Sequence, residues 1–372
     1  MAKQGAARSE ASPARGKKKN TATPPQGSLE AFRALLAEVQ RDTDRQLSEI
    51  LDGRVTLAES HGSEVVEMIS TLRDLCQRGG KRLRPALVMV GARAARPDTP
   101  PELVLQAGVA LELLQAYFLI HDDWMDQDLE RRGGPTVHAH LGRRFRSTSK
   151  GASAAILTGD YAVALATRVL ANLDLPGRRL SGVLTCFADM QLDAVAGQGL
   201  DVIGRGRDVE LTYRLKTASY TVRGPLIMGA LLAGGSPALQ ATLERFALPA
   251  GVAFQLRDDL IGVFGDPART GKPRGGDLRA GKRTLLVELA LQRCRGPRRQ
   301  LLQSVLGAPR TTQRAVERAI EVLEECGAKA VVEERIVSLS NEARVAIERG
   351  RLSSEGRELL LGAVDALTSR ES

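Results

Sequence analysis

Four aspartates fall within seven positions, Asp122 to Asp128, directly after the apolar run Ala116 to Ile120. If the stretch is helical, Asp122 and Asp126 are four residues apart and share a face. Like charges so placed repel, and no structural need calls for them at the end of an apolar helix. A divalent cation removes the repulsion, and hard carboxylate oxygens suit Mg²⁺. A second stretch, Phe254 to Asp266, repeats the format: an apolar helix delivers the pair Asp258-Asp259, 136 residues after the first pair. One such pair is a common solvated helix end. Two of them suggest a shared metal site facing one cavity.

Basic residues alternate with these acids. Gly79-Gly80-Lys81-Arg82-Leu83-Arg84-Pro85 puts three cations into four positions before an apolar helix. Lys81 and Arg84 are three apart and can converge on one anion at the helix start. Arg131 and Arg132 follow the first acidic stretch, ahead of Gly133-Gly134-Pro135. Lys216-Thr217 lies between the two acidic stretches, after Gly197-Gln198 and Asp201, while Lys272 and Lys282 follow the second. The order basic, acidic, basic, acidic, basic is what a site needs to hold two diphosphates and several Mg²⁺ ions.

The elements that must position these groups read as helices. From Leu29 onward Ala, Leu, Glu, Arg and Gln dominate, with apolar residues recurring at three and four. Alternating β-branched runs are nearly absent, and Gly and Pro cluster between the segments. The pattern predicts ten or more helices in one all-α domain over residues 28–372, a single large bundle. Leu103–Ile120 and Ala154–Leu170 are apolar around much of their circumference and are expected at its centre.

Bulk composition excludes several classes. No stretch of eighteen apolar residues suggests a membrane span. The four cysteines show no Cys-x-x-Cys spacing, which fits free thiols in a reducing cytosol, so a cytoplasmic location is expected. Four histidines without helical His-x-x-x-His spacing argue against a zinc hydrolase. The net charge is +9, of which +5 comes from residues 1–27, a Lys-, Ser-, Gly- and Pro-rich stretch expected to be a disordered basic tail without a signal sequence. With aromatics at only 3%, stacking platforms for single strands are few, and phosphorylated small molecules are preferred to nucleic acid as anionic partners.

Taken together, Gly-Gly-Lys-Arg-Leu-Arg-Pro, the Asp122–Asp126 helix with Arg131-Arg132-Gly133, Gly197-Gln198 through Asp201, Lys216-Thr217, and Phe254-Gln255 through Asp259 resemble the trans-isoprenyl diphosphate synthases, or polyprenyl synthetases. The motifs stand in family order from about Leu29 to the C-terminus. The resemblance implies an all-α bundle around a deep central cavity, usually a homodimer. It implies Asp122, Asp126 and Asp258 as ligands of Mg²⁺, three ions per site. Lys81, Arg84 and Gln115 would bind isopentenyl diphosphate, Gln115 standing where many members have histidine. Arg131 would contact the allylic diphosphate and Arg132 the isopentenyl diphosphate. Lys216, Thr217, Gln255, Lys272 and Lys282 would surround the allylic substrate. One departure is Gly262, where many members place a third aspartate of the second motif.

Tyr117 and Phe118 stand five and four residues before Asp122, about 6–8 Å down a helix at 1.5 Å per residue. Two aromatics there make a floor under a growing prenyl tail, a pattern that resembles short-chain synthases making farnesyl diphosphate. An aromatic at Tyr117 alone looks more like geranylgeranyl diphosphate synthases. Farnesyl is the expected product, ahead of geranylgeranyl. A terpene cyclase is a rival on the first motif, but its Asn/Asp-Ser/Thr-Glu triad is not seen after residue 200. A non-catalytic partner subunit would tend to lose aspartates or the basic cluster, all of which stand here. A nucleic-acid-binding protein predicts salt-dependent DNA binding that vanishes without residues 1–27.

Overall fold

Apolar residues spaced at three and four become helices almost throughout. A computed structural model describes residues 26–204, 208–267 and 274–369. The stretch 1–25 of the expected tail, and Lys272, lie outside the described residues. The first helices are α1 (Gln26–Ala58), α2 (Ser63–Gln77), α3 (Leu83–Ala95), α4 (Pro101–Met125), α5 (Val137–Arg144) and α6 (Thr148–Ala171). There follow α7 (Gly177–Ile203), α8 (Val209–Tyr213), a π-helix (Arg214–Arg223), α9 (Gly224–Leu232) and α10 (Pro237–Phe264). The chain closes with α11 (Gly276–Arg279), α12 (Leu285–Arg293), α13 (Gly296–Val305), α14 (Gln313–Glu325), α15 (Ala328–Arg349) and α16 (Ser354–Thr368). Among the described residues the only strands are β1 (Glu130–Arg131) and β2 (Gly134–Pro135), so the fold is all-α.

Local chemistry sets the helix starts. Ser147 caps α6 by accepting from the Lys150 backbone N–H at 3.2 Å, and Ser236 caps α10 ahead of Pro237 at its first position. Burial then sorts the helices. In α4 every residue from Ala107 to Leu114 is buried, as expected of a central helix. The expectation for α6 holds only in part, since Leu157 is 56% exposed on its outer face. One apolar cluster gathers α1, α3, α4, α6, α9 and the first half of α10. A second gathers the rest of α10 with α11 to α15, so α10 is rooted in both and delivers its aspartates from a fixed place.

Among the described residues two helices are long and apolar enough to cross a membrane, contrary to the expectation from composition: α4, with mean hydropathy 1.8, and α6, with 1.3. Of the α4 window, 67% is buried inside the protein, the way the core helix of a bundle meets the same criterion. The stretch after Asp126 also departs from a simple helix stop. β1 and β2 pair antiparallel around Arg132 and Gly133, whose φ values are +52° and +69°. Positive φ at both central residues is the hairpin turn that matches strand twist. It sends Arg131 and Arg132 in different directions.

Candidate active site

The face shared by Asp122 and Asp126 is real. Asp126 caps the C-terminus of α4, and its backbone N–H donates to the Asp122 carbonyl at 2.8 Å. A lysine meets the pair from the π-helix: Lys216 Nζ lies 3.2 Å from Asp122 Oδ1 and 2.8 Å from Asp201 Oδ2. Gln198 Nε2 donates to Asp122 Oδ1 at 3.0 Å. The motif glycine beside it has a steric reason. A Cβ on Gly197 would come within 2.3 Å of the Lys216 backbone nitrogen, so only glycine lets α7 approach the π-helix this closely. Long π-helical turns are rare and concentrate at functional sites. Burial disfavours charge on Lys216, but Asp122 and Asp201 more than offset it and keep the ammonium protonated. Burial and then Asp122 push the Asp126 carboxyl up, against the pull of Lys216 and Lys282. This end of the site is built to take positive charge.

Asp123 has a different role from its neighbour. It is 1% exposed and receives the Arg131 guanidinium, whose Nε donates to Asp123 Oδ1 at 2.7 Å. Arg131 also reaches Asp128 at 3.3 Å. Burial pushes the Asp123 carboxyl up to about 6, with Arg131 pulling the other way. Arg131, expected to touch a diphosphate, is thus tied into an ion pair with buried Asp123, while Asp128, with its side chain 52% exposed, joins only from the solvent side. Arg78 clasps the hairpin from below, donating to the Pro135 carbonyl at 2.7 Å.

A cavity of about 560 Å³ opens between the basic cluster and α10, and its lining does not include Asp122, Asp126 or Lys216. Lys81, Arg84 and Arg132 line one part of it, and Asp258, Asp277 and Lys282 another, with Phe32, Leu36 and Phe254 among the apolar lining. The third cation of the basic cluster, Arg82, also borders the cavity, but its guanidinium is committed to a buried ion pair. Arg82 has φ +45° and points into the protein, 2.7 Å from both Asp44 and Glu112 and 2.6 Å from the Cys76 carbonyl. Its left-handed backbone sets the Arg82 guanidinium into that buried pair, apart from Lys81 and Arg84. Removing one member of a buried pair strands the other charge. Glu112→Ala should therefore cost about 3–5 kcal/mol of stability, read as a large fall in the denaturant midpoint.

Arg84 Nη2 donates to Thr221 Oγ1 at 2.8 Å, and its guanidinium carbon sits 4.5 Å above the Tyr220 ring centre. Tyr220 in turn donates to Gln115 Oε1 at 3.1 Å. Gln115 and Tyr220 are both absent from the cavity lining and connect to it through Arg84. Thr217 Oγ1 donates to Gln255 Oε1 at 2.8 Å, and Gln255 Nε2 to Asp259 Oδ1 at 2.7 Å. The Tyr213 hydroxyl donates to the other Asp259 oxygen and accepts from the Leu285 N–H at 2.9 Å. Burial pushes Asp259 up to about 7, opposed by the hydrogen bonds from Tyr213 and Gln255. Consecutive helical residues point about 100° apart, so Asp258 faces the cavity while Asp259 anchors this inner network. Tyr213 carried no signal in the sequence, and Asp259 stood out there only as half of an acidic pair.

Asp122, Asp126 and Asp258 do not converge unaided: among the described residues no three His, Cys, Asp or Glu side chains lie close enough to hold a metal. Lysines stand among the carboxylates instead. Lys282 Nζ is 3.2 Å from Asp277 Oδ1, and although burial opposes its charge, Asp277, Asp259 and Asp126 hold it protonated. The donors are all hard carboxylate oxygens, that of Asp126 pushed up by burial and then by like-charged Asp122, which is the chemistry Mg²⁺ fits. Tyr117 and Phe118 stack at 5.0 Å below this end. Phe118 meets the Tyr220 ring edge-on at 4.9 Å, whereas Tyr117 turns to His121 at 4.6 Å.

The chain is similar to known proteins over most of its length. The polyprenyl synthetase family model matches residues 66–323. A short chain isoprenyl diphosphate synthase of Methanothermobacter thermautotrophicus is 33% identical over 341 residues, 89% of this chain and 98% of that one. A (2E,6E)-farnesyl diphosphate synthase of Mycobacterium tuberculosis is 38% identical over 213 residues, 56% of each chain. Among solved structures, geranylgeranyl pyrophosphate synthase of Corynebacterium glutamicum, complexed with isoprenyl diphosphate and magnesium, superposes with a TM-score of 0.84 at 35% identity, covering 90% of this chain and 99% of that one.

Proposed function

The chain belongs to the polyprenyl synthetase family, and we propose that it condenses isopentenyl diphosphate head-to-tail with allylic diphosphates, ending at farnesyl diphosphate. It is a prenyl diphosphate synthase of the short-chain kind, a transferase. The observation that carries the reading is one cavity with Lys81, Arg84 and Arg132 on one part of its wall and Asp258 and Lys282 on another, Lys282 also feeling the charge of Asp126 on the first aspartate stretch.

Mg²⁺ held by Asp122, Asp126 and Asp258 would supply positive charge to a departing diphosphate. Lys216 and Lys282 add charge on that side and orient the allylic substrate. Lys81, Arg84 and Arg132 hold isopentenyl diphosphate so that its double bond faces the carbon losing its diphosphate. Thr217, fixed on Gln255, presents an oxygen dipole to the developing cation. The prenyl tail runs past Phe118 and Tyr117, whose paired rings support the farnesyl limit. A geranylgeranyl limit is the second reading, favoured by Tyr117 turning to His121 rather than to Tyr220.

The test is incubation of the purified protein with Mg²⁺, isopentenyl diphosphate and each allylic diphosphate in turn, with chromatography of the products. A fifteen-carbon product is expected; a twenty-carbon one selects the second reading, and no condensation with any substrate overturns both. We further propose that a second copy covers α6 and α7, where Leu157 is 56% and Leu192 69% exposed. Light scattering should then give twice the 40.0 kDa chain mass, and a monomer at all concentrations would refute it.

A further inference from the structure

Arg132 stands on the cavity wall among like charges. A Cβ on Gly80 would come within 3.1 Å of both Arg132 Nη2 and Arg82 Nη1, so the two guanidiniums flank one backbone position. Burial and the charges of Arg82 and Arg84 pull the Arg132 pKa down, against the charge of Glu112. Glu112 is already paired with Arg82 at 2.7 Å, and among the described residues Arg132 has no ion pair of its own. Something other than a carboxylate must keep it there. Arg78, at the end of α2, grips the hairpin on which Arg132 rides: its Nη1 donates to the Arg131 carbonyl at 3.3 Å and to the Pro135 carbonyl at 2.7 Å, one on each strand. Resting on the function proposed above, we propose that Arg78 is a positioning residue for isopentenyl diphosphate, holding Arg132 among like charges by fixing the hairpin turn that carries it.

The hairpin is shaped to receive this side chain. Gly133 needs glycine for its φ of +69°, but Gly134 lies outside the left-handed region and has a steric reason instead. A Cβ on Gly134 would come within 2.8 Å of Arg78 Cζ and 2.9 Å of its Nε, so glycine there lets the guanidinium lie against the strand. The other end of the clamp is rooted in α2, where Leu72 and Leu75 are 0% and 1% exposed and the Arg78 N–H donates to the Asp74 carbonyl at 3.1 Å. Arg78 is absent from the cavity lining, whereas Arg132 is part of it, so the grip acts through Arg132. Guanidiniums gathered before any anion arrives are a preorganised diphosphate site, and here the tether works on backbone carbonyls rather than on an opposite charge.

The test is steady-state kinetics of the full chain at saturating Mg²⁺, with isopentenyl diphosphate and the allylic diphosphate varied in turn. Arg78→Ala should raise the KM for isopentenyl diphosphate about 10–100-fold, the loss expected of charge-assisted bonds, with kcat and the allylic KM within a few-fold of the wild type. Gly134→Ala, which displaces the guanidinium and removes no charge, should raise the same KM selectively. Adding Arg78→Ala to Arg132→Ala should raise it no further than Arg132→Ala alone, because the first residue acts through the second. An isopentenyl KM near the wild type in either Arg78→Ala or Gly134→Ala overturns the inference. So do equal rises for both substrates, which a merely structural role produces, and additive effects in the double variant, which mean that Arg78 acts as a charge of its own. If Arg78→Ala does not fold, judged by circular dichroism, Gly134→Ala alone decides. A wild-type protein that condenses no substrate removes the functional reading itself, before any variant is compared, and this inference with it.

Discussion

Asp122→Asn should lower the rate of condensation about a thousandfold, some 4 kcal/mol of transition-state stabilisation, while the melting temperature stays near that of the wild type. The two halves of this result come from different contacts. Asparagine keeps an oxygen that can accept from Gln198, and Lys216 keeps its 2.8 Å pair with Asp201, so the packing of α4, α7 and the π-helix survives. What is lost is one of the two charges that α4 presents on a single face, and with it the grip on a divalent cation. Asp128→Asn is the matched control, removing an equal charge six residues on from a partly exposed pair with Arg131. Exposed pairs contribute about 0–1 kcal/mol, and the control should stay within a few-fold of the wild-type rate. Steady-state kinetics at saturating Mg²⁺ reads both. An Asp122→Asn rate within tenfold of the wild type would remove Asp122 from the chemistry.

The parts of this protein that were legible in its sequence are those written in local periodicity. Helix class follows from spacing at three and four, and Asp122 with Asp126 from a gap of four. What stayed hidden depends on backbone turns and long-range phase. Lys81, Arg82 and Arg84 are equivalent as letters; a left-handed turn at Arg82 buries the middle one against Glu112, thirty residues away. Arg131 and Arg132 read as a pair, yet a hairpin with positive φ at Arg132 gives the first to Asp123 and leaves the second on the cavity wall. Asp258 and Asp259 differ only in which side of α10 meets the second apolar cluster, and that depends on helices far along the chain. Gly262 looked like a gap in a motif. A Cβ there would meet the Asp277 carboxylate at 1.9 Å, a close approach between α10 and α11 that no single stretch records.

Product length should respond unequally to the two aromatics before Asp122. Phe118→Ala is expected to shift most of the product to longer chains, and Tyr117→Ala to shift much less. The Phe118 ring lies 4.9 Å from Tyr220, which packs under Arg84 of the cavity wall, so the pair stands across the path from the basic end into the apolar interior. Tyr117 faces His121 instead, and burial followed by the charge of Asp160 pushes its hydroxyl pKa up, which places it toward α6. Along the helix the two residues are only about 1.5 Å apart in depth, so direction rather than depth separates their effects. Both rings are partly exposed, and truncation should cost less than the roughly 3–5 kcal/mol of a fully buried Phe→Ala change, leaving folded protein to assay. The double replacement should lengthen the product further than either single one, because each ring stacks on the other at 5.0 Å and partly fills the space its neighbour vacates. Chromatography of products from the three variants on one allylic substrate makes the comparison. Equal shifts from the two single variants would mean that both rings form the floor, and an unchanged product from the double variant would mean that neither does.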